Sequence, residues 1–422
     1  MKKLITLAVL LMLSSSLFAQ EVKYSVQMRY RSEFAKNMAS FQNTAFTNTV
    51  AGNGFNLMRS RLGVSFTGLE NISAFFQVQD ARSFGEETST LDASAAGLDL
   101  HQGFIQVDDF IKSGMSLKLG RMEIALGNER LVGAVDWSNT GRVFDGGLLN
   151  KAGAKFSYSV FAARVDENAP TRDFDPDEDF YGFFGSFRDL KNRVFNGFMF
   201  LNYNNDKLTA GTDANKSKLF RITTGFDYNA SVSFFDYEVE AAYQYGNQMK
   251  GLTTKRDNIG AYMFGLRFKY NILHDVYNPY VGLGFDLLSG DDDATDDDFN
   301  AFNTLYATNH RYYGYMDYFT GIPAATMNLG LRDFILRCGY NPRSDMTLMV
   351  DVHAFSTAKK NISDHTYLGS ELDLTMKYDY REDLGIQLGG SMFIPGDIPK
   401  ETPDNDTKGI WLYAMLTYNF NK

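Results

Sequence analysis

The chain has 422 residues, with 41 basic and 51 acidic side chains and a single cysteine, Cys338. A net charge of −10 argues against nucleic acid as a partner, and a lone cysteine forms no internal disulfide. Tyrosine (24) and phenylalanine (36) are abundant and suit strands, while proline (8), which interrupts them, is scarce.

Residues 1–19 read as an export signal. Lys2 and Lys3 open it, Leu4 to Leu13 form a short apolar core, and Leu17-Phe18-Ala19 leads to a cut before Gln20. Without this segment the chain carries 39 basic and 51 acidic side chains, a charge of −12. After Gln20 there is no run of eighteen apolar residues, so no spanning helix is expected. Only a closed barrel would then cross a bilayer with its backbone polar groups paired.

Residues 20–422 read as one domain of eighteen strand candidates. They lie near 22–34, 56–68, 72–82, 99–109, 114–126, 143–150, 152–165, 179–188 and 192–204, then 218–228, 232–246, 258–270, 277–288, 326–340, 346–356, 366–380, 384–393 and 409–420. A period of two gives each strand two faces. In the first, Val26, Met28 and Tyr30 oppose Gln27, Arg29 and Arg31. In the second, Leu62, Val64 and Phe66 oppose Arg59, Arg61, Ser65 and Thr67. Lys118 in the fifth, Arg221 in the tenth, and Arg267 and Lys269 in the twelfth likewise oppose apolar sets. In the sixteenth, Leu372, Leu374, Met376, Tyr378 and Tyr380 oppose Glu371, Asp373, Thr375, Lys377 and Asp379. Arg or Lys on the lipid side costs about 2–4 kcal/mol at the midplane. The charged parity is therefore expected to face a lumen.

Acids share that lumen: Glu238, Glu240, Asp286, Asp351, Asp373 and Asp379. Symmetric pairing of the eleventh and twelfth strands sets Asp236 opposite Lys269 and Glu238 opposite Arg267, an arrangement that stabilises a wall. Arg29, Arg31, Arg59 and Arg61 lie on adjacent strands with few acids nearby in sequence. They are the candidate patch for contact with an anionic solute.

Short connections alternate with long ones without a break, eight short and nine long. Leu69-Glu70-Asn71, Asp189-Leu190-Lys191, Asn229-Ala230-Ser231 and Arg381-Glu382-Asp383 are short; 127–142 and 289–325 are long. An even barrel with both termini in the periplasm has this pattern. A secreted sandwich or propeller needs one dry interior, which an inner face of Arg, Lys, Glu and Gln opposes. The expected fold is all-β: a transmembrane antiparallel β-barrel with short periplasmic turns and long extracellular loops.

Three blocks carry a resemblance. The first runs from Gly120-Arg121-Met122-Glu123 through Gly127-Asn128-Glu129-Arg130 to Asp136-Trp137-Ser138-Asn139-Thr140-Gly141-Arg142-Val143-Phe144-Asp145-Gly146. The second joins Ser289-Gly290-Asp291-Asp292-Asp293, Phe302-Asn303-Thr304-Leu305-Tyr306 and His310-Arg311-Tyr312-Tyr313-Gly314-Tyr315-Met316-Asp317. The third is Phe393-Ile394-Pro395-Gly396-Asp397. Together they resemble the alginate export porin family of outer-membrane proteins. The resemblance implies an eighteen-stranded barrel in the outer membrane of a Gram-negative-type bacterium. It also implies passive diffusion of an anionic polysaccharide, such as alginate, past a basic constriction narrowed by inward-folded loops. Arg121, Arg130 and Arg142 fall in its first block and reach toward such a constriction, with Asp136, Trp137 and Asp145 holding the connection by charge and packing. The expected surroundings are outer-membrane lipid and lipopolysaccharide, with a periplasmic export partner left open. The alternatives are a general or ion-selective porin for small solutes and, third, a barrel enzyme.

Six aspartates, Asp291, Asp292, Asp293, Asp296, Asp297 and Asp298, crowd the longest loop. Carboxylates this close repel unless they are solvated or bridged, and oxygen ligands favour Ca²⁺. The readings are a Ca²⁺ site, a solvated loop, or a bridge to the divalent ions of lipopolysaccharide. No other cofactor is expected. His101, His274, His310, His353 and His365 are scattered, and only His353 lies mid-strand with inward parity, two residues from Asp351. No serine partner can be named, and no phosphate loop or nucleophile elbow appears. Enzymatic chemistry is not expected.

Overall fold

A computed structural model describes residues 21–42, 45–49, 53–85, 97–111, 114–167, 177–189, 192–207, 217–250, 255–273, 276–401 and 406–421. The export signal at 1–19 and His274 lie outside the described residues. Eighteen long strands form the wall. They are β1 (Glu21–Lys36), β2 (Asn53–Leu69), β3 (Ile72–Ser83), β4 (Leu98–Phe110), β5 (Met115–Met122), β6 (Phe144–Lys151), β7 (Phe156–Glu167), β8 (Asp177–Asp189) and β9 (Arg193–Lys207). The second half comprises β10 (Ser217–Val232), β11 (Phe235–Met249), β12 (Arg256–Asn271), β13 (Tyr280–Leu288), β14 (Leu331–Arg343), β15 (Met346–Ser356), β16 (Tyr367–Arg381), β17 (Leu384–Pro395) and β18 (Gly409–Asn421).

Each wall strand pairs antiparallel with its neighbours in sequence, and β1 pairs with both β2 and β18, which closes the barrel. Closure leaves no unpaired edge, the condition for spanning lipid with strands. The alternation sorts the faces as expected from sequence. Met28 is 49% exposed on the outer side, whereas its neighbour Arg29 is 4% exposed on the inner side. Leu62, Leu119, Leu266 and Leu416 also point outward as exposed side chains. Asp236 does lie opposite Lys269, and Glu238 opposite Arg267.

Several boundaries differ from the sequence reading, three of them instructively. The β10–β11 turn lies at Ser233 and Phe234 instead of Asn229-Ala230-Ser231. Ala230 and Ser231 stay in the ladder, and Ser233 takes the left-handed conformation (φ 55°). Strand β14 starts at Leu331, after a short 3₁₀ turn at Ala324–Thr326 and a left-handed Gly330. Strand β5 ends at Met122, not at 126. Its Gly120 has φ +134°, and a Cβ there would sit 2.3 Å from the Gly103 carbonyl oxygen, so only glycine fits. Met122 and Ile124 then turn their side chains into an internal core.

That core is the chief surprise of the interior. Segments 123–143 and 289–330 fold into the barrel and join each other. Val132 and Tyr306 form a parallel bridge. Gly133 donates its N–H to the Tyr306 carbonyl (2.9 Å), Tyr306 to that of Leu131 (2.9 Å), and Thr308 to that of Glu129 (3.0 Å). Around this link Leu131, Val132, Phe302 and Phe319 share one buried apolar cluster with Phe180, Phe200, Phe355 and Phe393 of the wall, and Phe319 lies 4.6 Å from Phe355 between ring centres. The inner face expected from sequence to be polar therefore carries an apolar sector as well. The cause is that two long connections, of the kind the resemblance expects to fold inward, supply side chains for that sector to bury against.

Candidate constriction site

The ladder between β1 and β2 sets Arg29 directly opposite Arg59. Like charges in that relation destabilise a sheet unless something neutralises them. Here the backbone of segment 123–143 does so. Arg29 donates to the carbonyls of Asp136 (2.6 Å) and Ser138 (2.7 Å). Arg31 donates to the Trp137 carbonyl (2.6 Å) and to the Glu33 carboxylate (2.6 Å). Arg59 meets the Asp136 carboxylate at 2.7 Å, and Arg61 meets Glu123 at 3.3 Å, the Thr140 carbonyl at 3.2 Å and Gln79 at 2.7 Å. All four arginines are buried. They hold the inward segment in place, and the Asp136 side chain lies above them. Burial pushes the Asp136 carboxyl up, but Arg59, Arg29 and Arg61 outweigh it and hold the group below its usual 3.8.

The tip of this segment is aromatic. Arg31 lies 4.2 Å over the Trp137 ring, whose other contacts include His310, Trp411 and Tyr413. His310 continues the stack to Tyr315 at 5.2 Å and pairs with Asp317 at 2.7 Å. Trp411 in turn donates its indole N–H to Glu33 (2.8 Å). Trp137 thus packs the connection in place, while the Asp136 carboxylate pairs with Arg59 and Asp145 pairs with Arg121 at 2.7 Å.

A second cationic centre sits deeper. Arg130 is 1% exposed, pairs with the fully buried Asp286 and lies 3.6 Å from Glu240. Its guanidinium lies over Tyr312 (4.2 Å) and Tyr313 (4.8 Å). Burial would lower its pKa, but Asp286, Tyr313 and Glu240 together raise it well above the usual value. Arg267 reaches the same Asp286 at 2.7 Å, so its ion-pair partner is on β13 rather than the opposing Glu238. Glu238 instead accepts a hydrogen bond from the Asn128 side chain (2.6 Å). Arg142 donates to the carbonyls of Ala307 (3.1 Å) and Tyr306, tying the two inward segments together.

The remaining basic candidates are dispersed. Lys118 lies 4.8 Å over the Phe104 ring, buried Arg221 donates to Gln248 (3.0 Å), and Lys269 pairs with Asp236 (2.7 Å). A cavity of about 500 Å³, lined in part by Arg267, Lys269, Arg311, Tyr312, Asp236 and Glu238, lies toward the barrel end that carries the short turns.

The acidic loop does not gather its carboxylates. Asp293 accepts from the backbone and hydroxyl of Thr295 (2.9 and 2.5 Å), Asp292 pairs with Lys359 (2.9 Å), and Asp297 lies 3.5 Å from Lys250. Among the described residues no set of three or more His, Cys, Asp or Glu could hold a metal ion. Asp291, Asp292, Asp293, Asp296, Asp297 and Asp298 are thus spread along their loop in this arrangement. Local turns and lysine pairs relieve their repulsion instead. His353 is buried against Asp333 (2.8 Å) on the neighbouring strand rather than against Asp351.

Sequence reasoning did not place Glu33 in this site, and it met Glu123, Tyr306 and Tyr313 only as members of the family blocks, without a role. Glu33 was within reach, since it lies two residues from Arg31 with the same parity. The other three act across long sequence separations, so their partners could not be read.

The description "Alginate export" fits residues 20–412 of the chain. None of the curated proteins matches. Among solved structures the barrel superimposes on Pseudomonas aeruginosa OccK9 (OpdG) with a TM-score of 0.61 at 12% identity, covering 96% of this chain and 100% of that one. Pseudomonas aeruginosa OccK8 (OprE) gives 0.60 at 12% identity, covering 96% and 99%. Pseudomonas aeruginosa OpdK, solved with vanillate, gives 0.57 at 12% identity, covering 96% and 100%. At such identities the likeness speaks for the closed barrel alone, while the family match spans nearly the whole chain. The chain belongs to the alginate export family and is an outer-membrane, porin-like channel.

Proposed function

We propose that this channel passes a carboxylated saccharide, an alginate-like polysaccharide or its oligomers, by passive diffusion across the outer membrane of a Gram-negative-type bacterium. One observation carries this reading: the Arg29, Arg31, Arg59 and Arg61 wall lies beneath the inward segment 123–143, with Arg130, Arg142 and Arg267 behind it. Guanidinium groups match carboxylates geometrically. In a narrow low-dielectric bore their field favours anions over cations. The solute meets this field beside the aromatic stack of Trp137, His310 and Tyr315. Lys118, Arg121, Arg221 and Lys269 contribute to the basic lining along the bore.

A second reading is a porin for small carboxylates. The apolar core that fills part of the interior favours it, because a filled bore suits a small solute better than a polymer. OpdK, of the same fold, was solved with vanillate, which carries a carboxylate. The two readings share the anion and differ in its length. Ion current through the refolded channel, with trigalacturonate, maltotriose and vanillate added in turn, separates them. Block by trigalacturonate alone supports the saccharide. Block by vanillate alone supports the small solute, and block by maltotriose as strong as by trigalacturonate counts against both.

A further inference from the structure

We infer that the Asp136 side chain is a built-in competitor for the solute carboxylate: it occupies an anion-binding position on Arg59 and Arg61, and a carboxylated solute binds there by displacing it. This rests on the reading of the channel as one for carboxylates.

The geometry separates two roles within one short segment. The segment is fastened by its main chain, because the carbonyls of Asp136, Trp137, Ser138 and Thr140 accept hydrogen bonds from Arg29, Arg31, Arg59 and Arg61. None of those bonds needs the Asp136 side chain. That side chain is 67% exposed, while Arg59 and Arg61 beneath it are 1% and 7% exposed. Asp136 Oδ1 lies 2.7 Å from Arg59 and 3.6 Å from Arg61, so it is the group between bore and guanidiniums. A carboxylate that can leave without loosening the backbone, and that covers two buried cations, is placed to exchange with another carboxylate.

Charge strengthens the case. Arg29, Arg31, Arg59 and Arg61 meet Glu33, Glu123 and Asp136 among the described carboxylates, so positive charge is in excess before a solute arrives. The Nε atoms of Arg29 and Arg59 are buried without a hydrogen-bond partner. Exchange keeps this balance, since one carboxylate replaces another, and Asp136 swings into water at little cost. Such a position would bind anions weakly and release them quickly, as conduction requires.

The test uses the full-length refolded channel and the substitution Asp136→Asn, which keeps the shape and removes the charge. Asp136→Ser serves as a second variant, and Asp364→Asn, on a loop outside the bore, as a control of equal charge change. Heat-modifiable migration on gels reports folding of each. Trigalacturonate block of Asp136→Asn is expected to be about tenfold tighter than that of wild type, the factor from roughly one charge-assisted hydrogen bond of lost competition. Asp364→Asn should match wild type. Unchanged or weaker block in both Asp136 variants overturns the inference. If trigalacturonate blocks neither wild type nor variant, the saccharide reading fails and acetate decides. A rise in acetate-to-potassium permeability in Asp136→Asn alone, beyond its rise for chloride, sustains the exchange site. Equal rises for both anions, or none, overturn it.

Discussion

The indole of Trp137 lies flat on the imidazole of His310, with 4.3 Å between ring centres and 7° between planes. The two residues are on different inward segments, so this stack, with the Val132–Tyr306 bridge, makes the segments one body. An aromatic pair of this kind contributes about 0.5–1.5 kcal/mol beyond area burial. Trp137→Ala is expected to leave the barrel folded and to raise open-channel noise and mean conductance, read from single-channel traces. Trp137→Phe should recover part of the quiet state. Noise unchanged in the alanine variant would show that the stack is incidental.

Arg59 is the most enclosed member of the arginine wall. It donates to Gln27, to two carbonyls of segment 123–143 and to the Asp136 carboxylate. Hydrogen bonds to a charged group contribute about 1.5–3 kcal/mol each, less where the partner is wet. Arg59→Ala should therefore release the segment. Conductance is expected to rise, and limited proteolysis should cut within 134–141 in the variant and spare that stretch in wild type. A lower conductance with intact protease resistance would mean that Arg59 acts on the solute and does not anchor the segment.

Asp286 serves two arginines, Arg130 and Arg267, with no exposure to solvent. Removing one partner of a buried ion pair costs about 3–5 kcal/mol, because the other charge is left without compensation. Asp286→Asn is expected to lower the thermal midpoint of the refolded barrel and to loosen both inward segments. Glu238→Gln, at the position directly opposite Arg267, should have a much smaller effect. A comparable loss in both would contradict the pairing.

Acid should uncover the arginine wall at Asp136. Its carboxyl titrates below the usual value in the folded channel, so its ion pair with Arg59 and Arg61 is fully formed above the ordinary carboxylate range of about 3.9. That pairing is lost as pH falls from there through the depressed value. Conductance in potassium chloride is expected to show no step from this group between neutral pH and that range, and then to rise below it. Asp136→Asn should lack the rise. The same rise in both proteins would assign it to other carboxylates.

Much of the fold was legible because a barrel writes its geometry into a two-residue period. Met28 and Arg29, or Leu266 and Arg267, could be sent to opposite faces from lipid cost alone. The alternation of short and long connections then fixed the strand number. The turn at Ser233 was misplaced because Asn229-Ala230-Ser231 has turn-like residues but remains in the ladder. The resemblance implied inward-folded loops, but nothing in the sequence marked the apolar sector of the wall, with Phe180 and Phe200, that shares a core with segments 123–143 and 289–330. At the site, the arginine patch and Asp136 with Trp137 stood out, the latter two through the family block. Their arrangement did not, since contacts such as Arg29 to the Ser138 carbonyl span 109 residues. The six aspartates show a related limit: crowding in sequence says nothing of convergence when some turn to their own backbone and others to lysines.

The most direct test of an anion-conducting constriction is the reversal potential of the single wild-type channel in a potassium chloride gradient, followed by titration with trigalacturonate. A potential on the anion side, with concentration-dependent block by trigalacturonate and none by maltotriose, is the expected result. A potential on the cation side, or current indifferent to trigalacturonate at every concentration, would contradict the basic passage for carboxylated saccharides.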